Sequence, residues 1–156
     1  MNDLKTNSNH LDFQAKKLQG LIKDIIQCCE NRKLYEISKF EIPFAELKCL
    51  LLFEGARYLT VKTISQRMDV AKSRITILIN GLKKKGFVEI IDDPEDARIK
   101  LIRLTNTGSA KLNEIMNYQM EIHKKLLLTM DENERKNVIN HMEILRMAME
   151  IIKKEL

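Results

Sequence analysis

Apolar residues recur at helical spacing near both ends of the chain. Near the N-terminus the apolar stripe consists of Leu18, Ile22, Ile25 and Cys29. Near the C-terminus it consists of Val138, Met142, Leu145, Met149 and Ile152. Intervals of three and four positions are typical of amphipathic helices, and helices of this length are stable only against a partner surface. The two stripes therefore predict either packing within the chain or a dimer interface built from its two ends.

Two helices are predicted in the first third of the chain. We place helix 1 over 11–32 and helix 2 over 44–53, with a less regular stretch at 34–42. Pro43 stands at the start of the second helix, where its missing amide hydrogen loses no hydrogen bond. Gly55 is expected to end that helix.

The next two predicted helices are close together. Thr60 is a suitable N-cap for a helix over 61–68, because its hydroxyl can accept a hydrogen bond from an unpaired amide. A further helix is predicted over 71–85, and Gly86 follows it where a positive φ is needed. The apolar residues of that helix form one inward stripe, Ile75, Leu78, Ile79 and Leu82.

Two strand-like runs, 87–91 and 99–104, follow this basic helix and enclose a short polar turn. This is the layout of a winged helix, which places one helix in the DNA major groove and a hairpin near the backbone or minor groove. Thr105 can cap a fifth helix that runs to about position 128. Asp131 and Glu134 have the spacing of a capping box at the start of a sixth.

Composition narrows the class of protein. A chain of 156 residues with 44% hydrophobic residues is expected to form one domain with a buried core. Few aromatic, glycine and proline residues favour a mostly helical protein. No apolar run is long enough to span a membrane, and the polar first residues lack the apolar core of a signal peptide. Together with three cysteines, an odd number, these features predict a cytoplasmic protein in a reducing compartment.

Positive charge is concentrated in one segment. The net charge of the chain is +5, and residues 60–86 contain seven basic residues with Asp69 as their one acid. A solvated surface is the ordinary explanation of a charge run. Because this run coincides with the predicted helix-turn-helix, it favours a polyanionic partner.

The chain resembles the MarR family of bacterial and archaeal transcription regulators in its order of helices, hairpin and terminal helices. The specific match is the wing signature Asp96-x-Arg98-x5-Leu104-Thr105, and a looser match covers 59–88. The resemblance implies a mainly α fold with a small β-hairpin, in which N- and C-terminal dimerisation helices flank a winged helix-turn-helix. It also implies a homodimer on a palindromic operator in double-stranded DNA. In many family members a small effector lowers the affinity for DNA.

We therefore expect one compact domain with two functional regions. Residues 35–105 form the DNA-binding region, and residues 1–34 and 106–156 form the dimerisation region. The expected function is that of a sequence-specific transcriptional regulator, with repression as one form of regulation. The alternatives are an architectural DNA-binding protein without an effector and a winged-helix module for protein–protein contact, which the basic segment disfavours.

Four positions depart from the family pattern. Ala71 stands where many members have Ser or Thr, and it offers no oxygen to cap the recognition helix. Ile77 and Asn80 stand where Arg and Asp are frequent; Ile77 can contact a thymine methyl and Asn80 can bind adenine. Gly81 replaces a longer residue, weakens the helix by about 1 kcal/mol relative to Ala, and would permit a close backbone approach. The operator sequence is therefore not predictable from the family.

The candidate DNA contacts lie in the predicted recognition helix and wing. Side chains at the start of a helix in the groove can reach phosphates and base edges, although Arg74 has an intrasubunit ion pair as its alternative. An arginine in the wing suits the negative potential of a narrow minor groove, and Asp96 is expected to orient it by a paired hydrogen bond. The alternative for that pair is an ordinary surface ion pair. The predicted DNA-binding residues are Lys72, Ser73, Arg74, Thr76, Ile77, Asn80, Lys84 and Arg98.

Other chemistry has weaker signals. The cysteines are predicted to be buried small apolar residues, with an oxidant sensor in helix 1 as the alternative. An effector pocket is predicted at Cys49, Phe53, Met116 and Met120, where methionine would suit an adaptable apolar ligand, although plain core is the ordinary role of such residues. The three histidines are scattered, and no catalytic motif is present. We therefore expect no metal, no cofactor and no enzymatic activity.

Overall fold

The helices and strands follow the order expected for a winged helix. The computed structural model describes residues 2–96 and 98–155. In chain order the elements are α1 Asn2–Phe40, α2 Phe44–Leu51, β1 Leu59–Thr60, α3 Val61–Met68, α4 Lys72–Lys84, β2 Val88–Asp92, β3 Lys100–Leu104, α5 Asn106–Leu128 and α6 Glu132–Lys153. The predicted fold class, mainly α with a small β-sheet, is confirmed.

The first helix is longer than predicted at both ends. It was expected over 11–32 but runs over Asn2–Phe40. Its polar N-terminal turns have no apolar stripe, so hydrophobic periodicity could not reveal them. Near its C-terminal end the pattern is irregular because a charged residue, Glu36, is buried and lies 3.6 Å from Arg32. The helix ends at Phe40, and Glu41 directly after it has a positive φ of 55°.

The three short helices lie close to their predicted bounds. α2 ends at Leu51 rather than at 53, and Gly55 beyond it has a φ of 69°. α3 agrees with its predicted bounds, and α4 lacks only the two predicted terminal positions, 71 and 85. Gly86 has the predicted positive φ, at 73°.

The hairpin belongs to a three-stranded antiparallel sheet with the order β1-β3-β2. β2 and β3 pair in a register that runs from Val88 opposite Leu104 to Asp92 opposite Lys100. On the other edge of β3, Leu59 lies opposite Ile102. A two-residue strand is too short to show alternation, so the sequence predicted the hairpin but not β1.

The chain divides into two compact units, residues up to Ser109 and residues from Ala110. The first unit contains the helix-turn-helix and the sheet around an apolar core. Its fully buried side chains include Leu47, Leu50, Ile64, Ile75, Ile79, Leu82, Val88 and Ile102. These include the predicted inward residues of α4 except Leu78, which is half-buried. The predicted functional boundaries at 34/35 and 105/106 stay a prediction.

The last helix starts as predicted and has no buried residue. Asp131 and Glu134 form a capping box, in which each side chain accepts a hydrogen bond from the other's amide at 2.9 Å. Every described residue of α6 is at least partly exposed. The exposed members of its apolar stripe are Val138, Met142, Met149 and Ile152. In α1, Leu18 and Ile25 are exposed as well, so both predicted stripes are largely uncovered in the single chain.

Candidate nucleic-acid interface

A tight turn connects α3 to α4. At the start of α3, Thr60 Oγ1 accepts a hydrogen bond from Thr63 N at 3.1 Å, as predicted. At its end, Asp69 has a left-handed φ of 54° and its amide donates to Ser65 O. The Ser65 hydroxyl donates to Val70 O at 2.6 Å. These bonds satisfy polar groups of the turn and fix the direction in which α4 leaves it, as a helix-turn-helix requires.

α4 has a buried face and an exposed face. Its buried residues are Ile75, Ile79 and Leu82. All the residues of this helix that the sequence predicted to bind DNA are exposed: Lys72, Ser73, Arg74, Thr76, Ile77, Asn80 and Lys84. The structure therefore brings them together on the solvent side of one helix. Their contact with DNA stays a prediction.

Three local features of α4 bear on how it would contact bases. Ile77 is 70% exposed and presents an apolar surface of the kind that suits a thymine methyl. The Thr76 hydroxyl donates to Lys72 O at 3.0 Å, so its proton is used within the helix and its oxygen is left to accept. Ala71 at the N-cap of α4 accepts no hydrogen bond through its side chain, as expected because alanine has no side-chain oxygen.

The three lysines at the end of α4 have different surroundings. Lys83 and Lys84 are exposed and belong to the last turn. Lys85 Nζ instead donates to Glu46 Oε2 at 2.7 Å. No local pattern in the sequence distinguishes Lys85 from its two neighbours, because the acid that binds it lies on α2.

Asp96 holds Arg98 by three hydrogen bonds. Asp96 Oδ1 accepts from Arg98 N at 3.0 Å and from Nε at 2.9 Å, and Oδ2 accepts from Nη2 at 3.1 Å. The predicted paired hydrogen bond is therefore present. The side-chain bond lowers the pKa of the Asp96 carboxyl and raises the pKa of the Arg98 guanidinium, so both stay charged at neutral pH. The Arg98 side chain is 90% exposed, so it is oriented without being covered.

The other two basic residues of the wing also have acidic partners. Lys100 Nζ pairs with Asp92 Oδ1, and Arg103 Nε donates to Glu89 Oε1 at 2.6 Å. Both pairs join residues that lie opposite each other in the β2–β3 register. Each cation of the wing is thus already matched by an acid on the same hairpin.

A cleft of about 660 Å³ in the first unit was not predicted from sequence. Its lining includes Arg103, Asn106 and the pair Arg57 and Tyr58, in which the guanidinium lies 5.2 Å from the ring centre. These residues come from the loop before β1, from β3 and from the first turn of α5. Because they are distant in sequence, no local pattern indicated that they share a cleft.

The three cysteines differ in exposure. Cys49 is buried, Cys29 is half-buried and Cys28 is exposed. The prediction of three buried thiols is therefore wrong for Cys28, because that part of α1 has most of its side chains exposed. Burial raises the pKa of the Cys49 thiol to about 12, and the charge of Glu46 contributes in the same direction.

We expect Cys49 to resist alkylation in the folded protein. With a pKa of about 12, roughly one thiol in ten thousand is ionised at pH 8, and the thiolate is the reactive form. Mass spectrometry after iodoacetamide treatment should show modification at Cys28 and not at Cys49, with Cys49 reacting once the protein is unfolded. Equal rates at Cys28 and Cys49 in the folded state would contradict the burial.

The same pKa gives a sign for the pH dependence of stability. The folded state keeps the Cys49 proton that the unfolded state releases near the ordinary value of 9.0. The contribution of Cys49 to the free energy of unfolding is therefore fully present below pH 9.0, and it is lost as the pH rises towards about 12.

The four predicted pocket residues belong to different units. Cys49 and Phe53 are buried in the first unit. In the second, Met116 is half-buried and Met120 is exposed. The effector pocket stays a prediction.

Residues 2–96 and 98–155 contain neither a metal-binding cluster nor a membrane-spanning helix. That part of the chain has no cluster of three or more His, Cys, Asp or Glu residues able to hold a metal ion. None of its helices combines the length and apolar character needed to cross a membrane.

Comparison with known sequences points to one family. The MarR family model matches residues 41–99, which extend from before α2 into the wing. The HTH-type transcriptional regulator YfiV of Bacillus subtilis (strain 168), itself uncharacterized, is 25% identical over 96% of this chain and 93% of its own length.

Solved structures share the fold. A MarR family protein from Bacillus stearothermophilus aligns over 88% of this chain and 96% of its own, with a TM-score of 0.79 and 20% identity. Streptococcus pneumoniae FabT, solved in complex with DNA, aligns over 86% of this chain and 98% of its own, with a TM-score of 0.76 and 18% identity. Together with the wing signature and the helix-turn-helix, the sequence match over 41–99 makes this part of the chain similar to the MarR family of transcriptional regulators, and the solved structures show that the winged-helix fold is shared.

Proposed function

We propose that this regulator binds a palindromic operator in double-stranded DNA as a homodimer. In each subunit α4 enters the major groove and Arg98 enters the adjacent minor groove. The observation that carries the proposal is the exposed face of α4, where Lys72, Ile77 and Asn80 are accessible while the opposite face is buried in the core. The FabT structure, whose fold is similar, contains DNA.

Charge supports the same assignment of roles within the first unit. Residues 60–86 have seven basic residues and one acid, and of these cations Lys85 is engaged by Glu46. In the wing, each cation has an acidic partner. We therefore assign phosphate binding mainly to the helix-turn-helix, and to the wing a positioned contact through Arg98.

The uncovered apolar stripes support a dimer. Large side chains such as Ile25, Met142 and Met149 stay exposed on α1 and α6 in the single chain. Exposed apolar residues in helical register are typical of surfaces that pack against another helix. A second copy of the chain presents the same stripes and so offers each of them an apolar surface to pack against.

Several parts of the expected function remain predictions. These are release by a small effector, the sign of regulation, cytoplasmic location and the lack of enzymatic activity. The relatives that match are transcriptional regulators, which gives no support to a catalytic role.

Selection of bound fragments followed by footprinting tests the proposal. Genomic fragments retained by the protein should share an inverted repeat, and the protected half-sites should be centred about one helical turn apart. Affinity should fall by about three to five powers of ten between about 50 and 200 mM salt if about six to ten phosphates are contacted. Sedimentation should give a dimer.

The alternatives predict different results. An architectural protein would protect DNA broadly and without a shared sequence. A protein–protein module would show no steep dependence on salt and no operator. Either result would contradict the proposed function.

A further inference from the structure

We propose that Glu46, Gly81 and Lys85 form a linkage between α2 and α4 that positions the recognition helix for its operator. The inference rests on the proposed function, because it assumes that α4 contacts bases. We call these three residues the α2–α4 linkage. The linkage sets the orientation of α4 and adds no contact with DNA.

The first observation is an ion pair across the two helices. Glu46 lies in the first turn of α2, and its Oε2 is 2.7 Å from Lys85 Nζ just beyond the end of α4. The carboxylate side chain is only 11% exposed, whereas the lysine side chain is 35% exposed. A carboxylate so covered needs a charged partner, because burial of an unpaired charge is strongly unfavourable. Lys85 is that partner among the described residues.

The second observation concerns Gly81. A Cβ built at this position would lie 2.3 Å from Glu46 Oε1 and 3.0 Å from Glu46 Cδ, well inside contact distance. The carboxyl group of Glu46 therefore occupies the space that a side chain at position 81 would fill. Glycine weakens the middle of a helix relative to alanine, so glycine at position 81 makes room for the Glu46 carboxyl group at some cost to the stability of α4. The close approach expected from sequence is thus made by a side chain of α2.

The position of the linkage along α4 allows it to orient the helix. The N-terminal end of α4 is set by the turn in which Asp69 is left-handed. Glu46 approaches α4 at Gly81 and at Lys85, near its C-terminal end. With both ends fixed, the exposed residues Ile77 and Asn80 between them point in one direction. Base contacts depend on that direction far more than contacts with phosphates do.

A purely structural pair would behave differently from a positioning pair. If the linkage only stabilised the fold, its loss would lower the melting temperature but leave the affinity of the folded protein unchanged. If it positions α4, its loss lowers operator affinity at temperatures where the protein is fully folded. Affinity for unrelated DNA should then stay the same, because phosphate contacts tolerate small changes of angle.

The test compares Lys85→Gln with its neighbour Lys84→Gln in the full-length protein. Lys85→Gln should weaken operator binding about tenfold, comparable to the loss of one base contact, without changing affinity for a scrambled duplex or the slope of log affinity against log salt. Lys84→Gln should weaken binding to both duplexes and reduce that slope by about one. Fluorescence anisotropy at several salt concentrations, well below the melting temperature, measures both quantities.

A second pair of variants tests the geometry without removing the lysine. In Gly81→Ala the added methyl group must displace the end of Glu46, while helix propensity improves, so the variant should fold. Gly81→Ala and Glu46→Gln should each weaken operator binding by a similar factor. The double variant should lose little more than either single one, because both act on the same linkage.

Three outcomes would overturn the inference. They are an unchanged operator affinity in Lys85→Gln, a reduced salt slope like that of Lys84→Gln, and additive losses in the Gly81 and Glu46 variants. Failure of the proposed function gives a separate signature. In that case the wild-type protein itself would not distinguish operator from scrambled DNA.

Discussion

Replacement of Gly108 by alanine should unfold or severely destabilise the first unit. A Cβ at this position would lie 1.8 Å from the backbone oxygen of Phe87 and 2.7 Å from its carbonyl carbon. Backbone atoms cannot swing aside as a side chain can, so either the start of α5 or the end of the α4–β2 connection must move. Thr105 N donates to that same oxygen at 3.0 Å, and the Thr105 hydroxyl donates to Gly86 O at 2.5 Å. A shift of either segment would therefore break the hydrogen bonds that Thr105 donates to Phe87 and Gly86.

We expect the loss in free energy of unfolding to reach about 3 kcal/mol or more, at the upper end of overpacking effects. For a chain of this size that lowers the melting temperature by roughly 10 °C. Thermal and urea unfolding followed by circular dichroism measure it. Gly20→Ala is the matched control, because a Cβ at Gly20 meets nothing within 4 Å, and it should be neutral or slightly stabilising. Equal melting temperatures for the two variants would refute the close approach at Gly108.

The second large effect is expected on DNA binding. Arg98→Ala should weaken operator binding at least tenfold while the melting temperature stays the same. The guanidinium is 90% exposed, so the fold depends little on it. Its removal takes away the positioned cation of the wing and leaves the Asp96 carboxylate unmatched. An unpaired acid near the DNA backbone adds repulsion to the lost contact.

Arg103→Ala is the matched control for this variant. It removes the same residue type from the same hairpin, and both guanidinium groups have an acidic partner. The Arg103 side chain is only 43% exposed and is bound across the strands by Glu89, whereas that of Arg98 is 90% exposed. We expect operator affinity to change little in Arg103→Ala. Gel-shift titrations of both variants on one operator duplex measure the two affinities. Unchanged affinity in Arg98→Ala would contradict the proposed contact between the wing and DNA.

Features that depend on neighbouring residues were predictable from the sequence. Thr60 caps α3, Gly86 has a positive φ, and Asp131 begins α6 with a capping box. In each case the residue type and its spacing determine the hydrogen bond or backbone conformation locally. The pairing of Asp96 with Arg98 belongs to the same class, because the two residues are separated by one position.

Features that join distant segments were not predictable. Glu46 and Lys85 are 39 positions apart, so nothing local distinguished Lys85 from Lys84. The need for glycine at position 108 likewise depends on the Phe87 carbonyl. The polar N-terminal turns of α1 and the two-residue strand β1 were missed for another reason, since neither has a hydrophobic period to detect. The sequence thus predicted the six helices, the hairpin and the exposed face of α4, but not the contacts that fix the direction of α4.

The pairing of each wing cation with an acid has a kinetic consequence. Capture of random genomic DNA and sliding along it depend on unneutralised charge, and the cations of the wing are already matched by Asp92, Asp96 and Glu89. We therefore expect the helix-turn-helix alone to govern the rate at which the protein finds its operator. The wing would then act only after arrival, and would lengthen the residence time on the correct site without slowing the search.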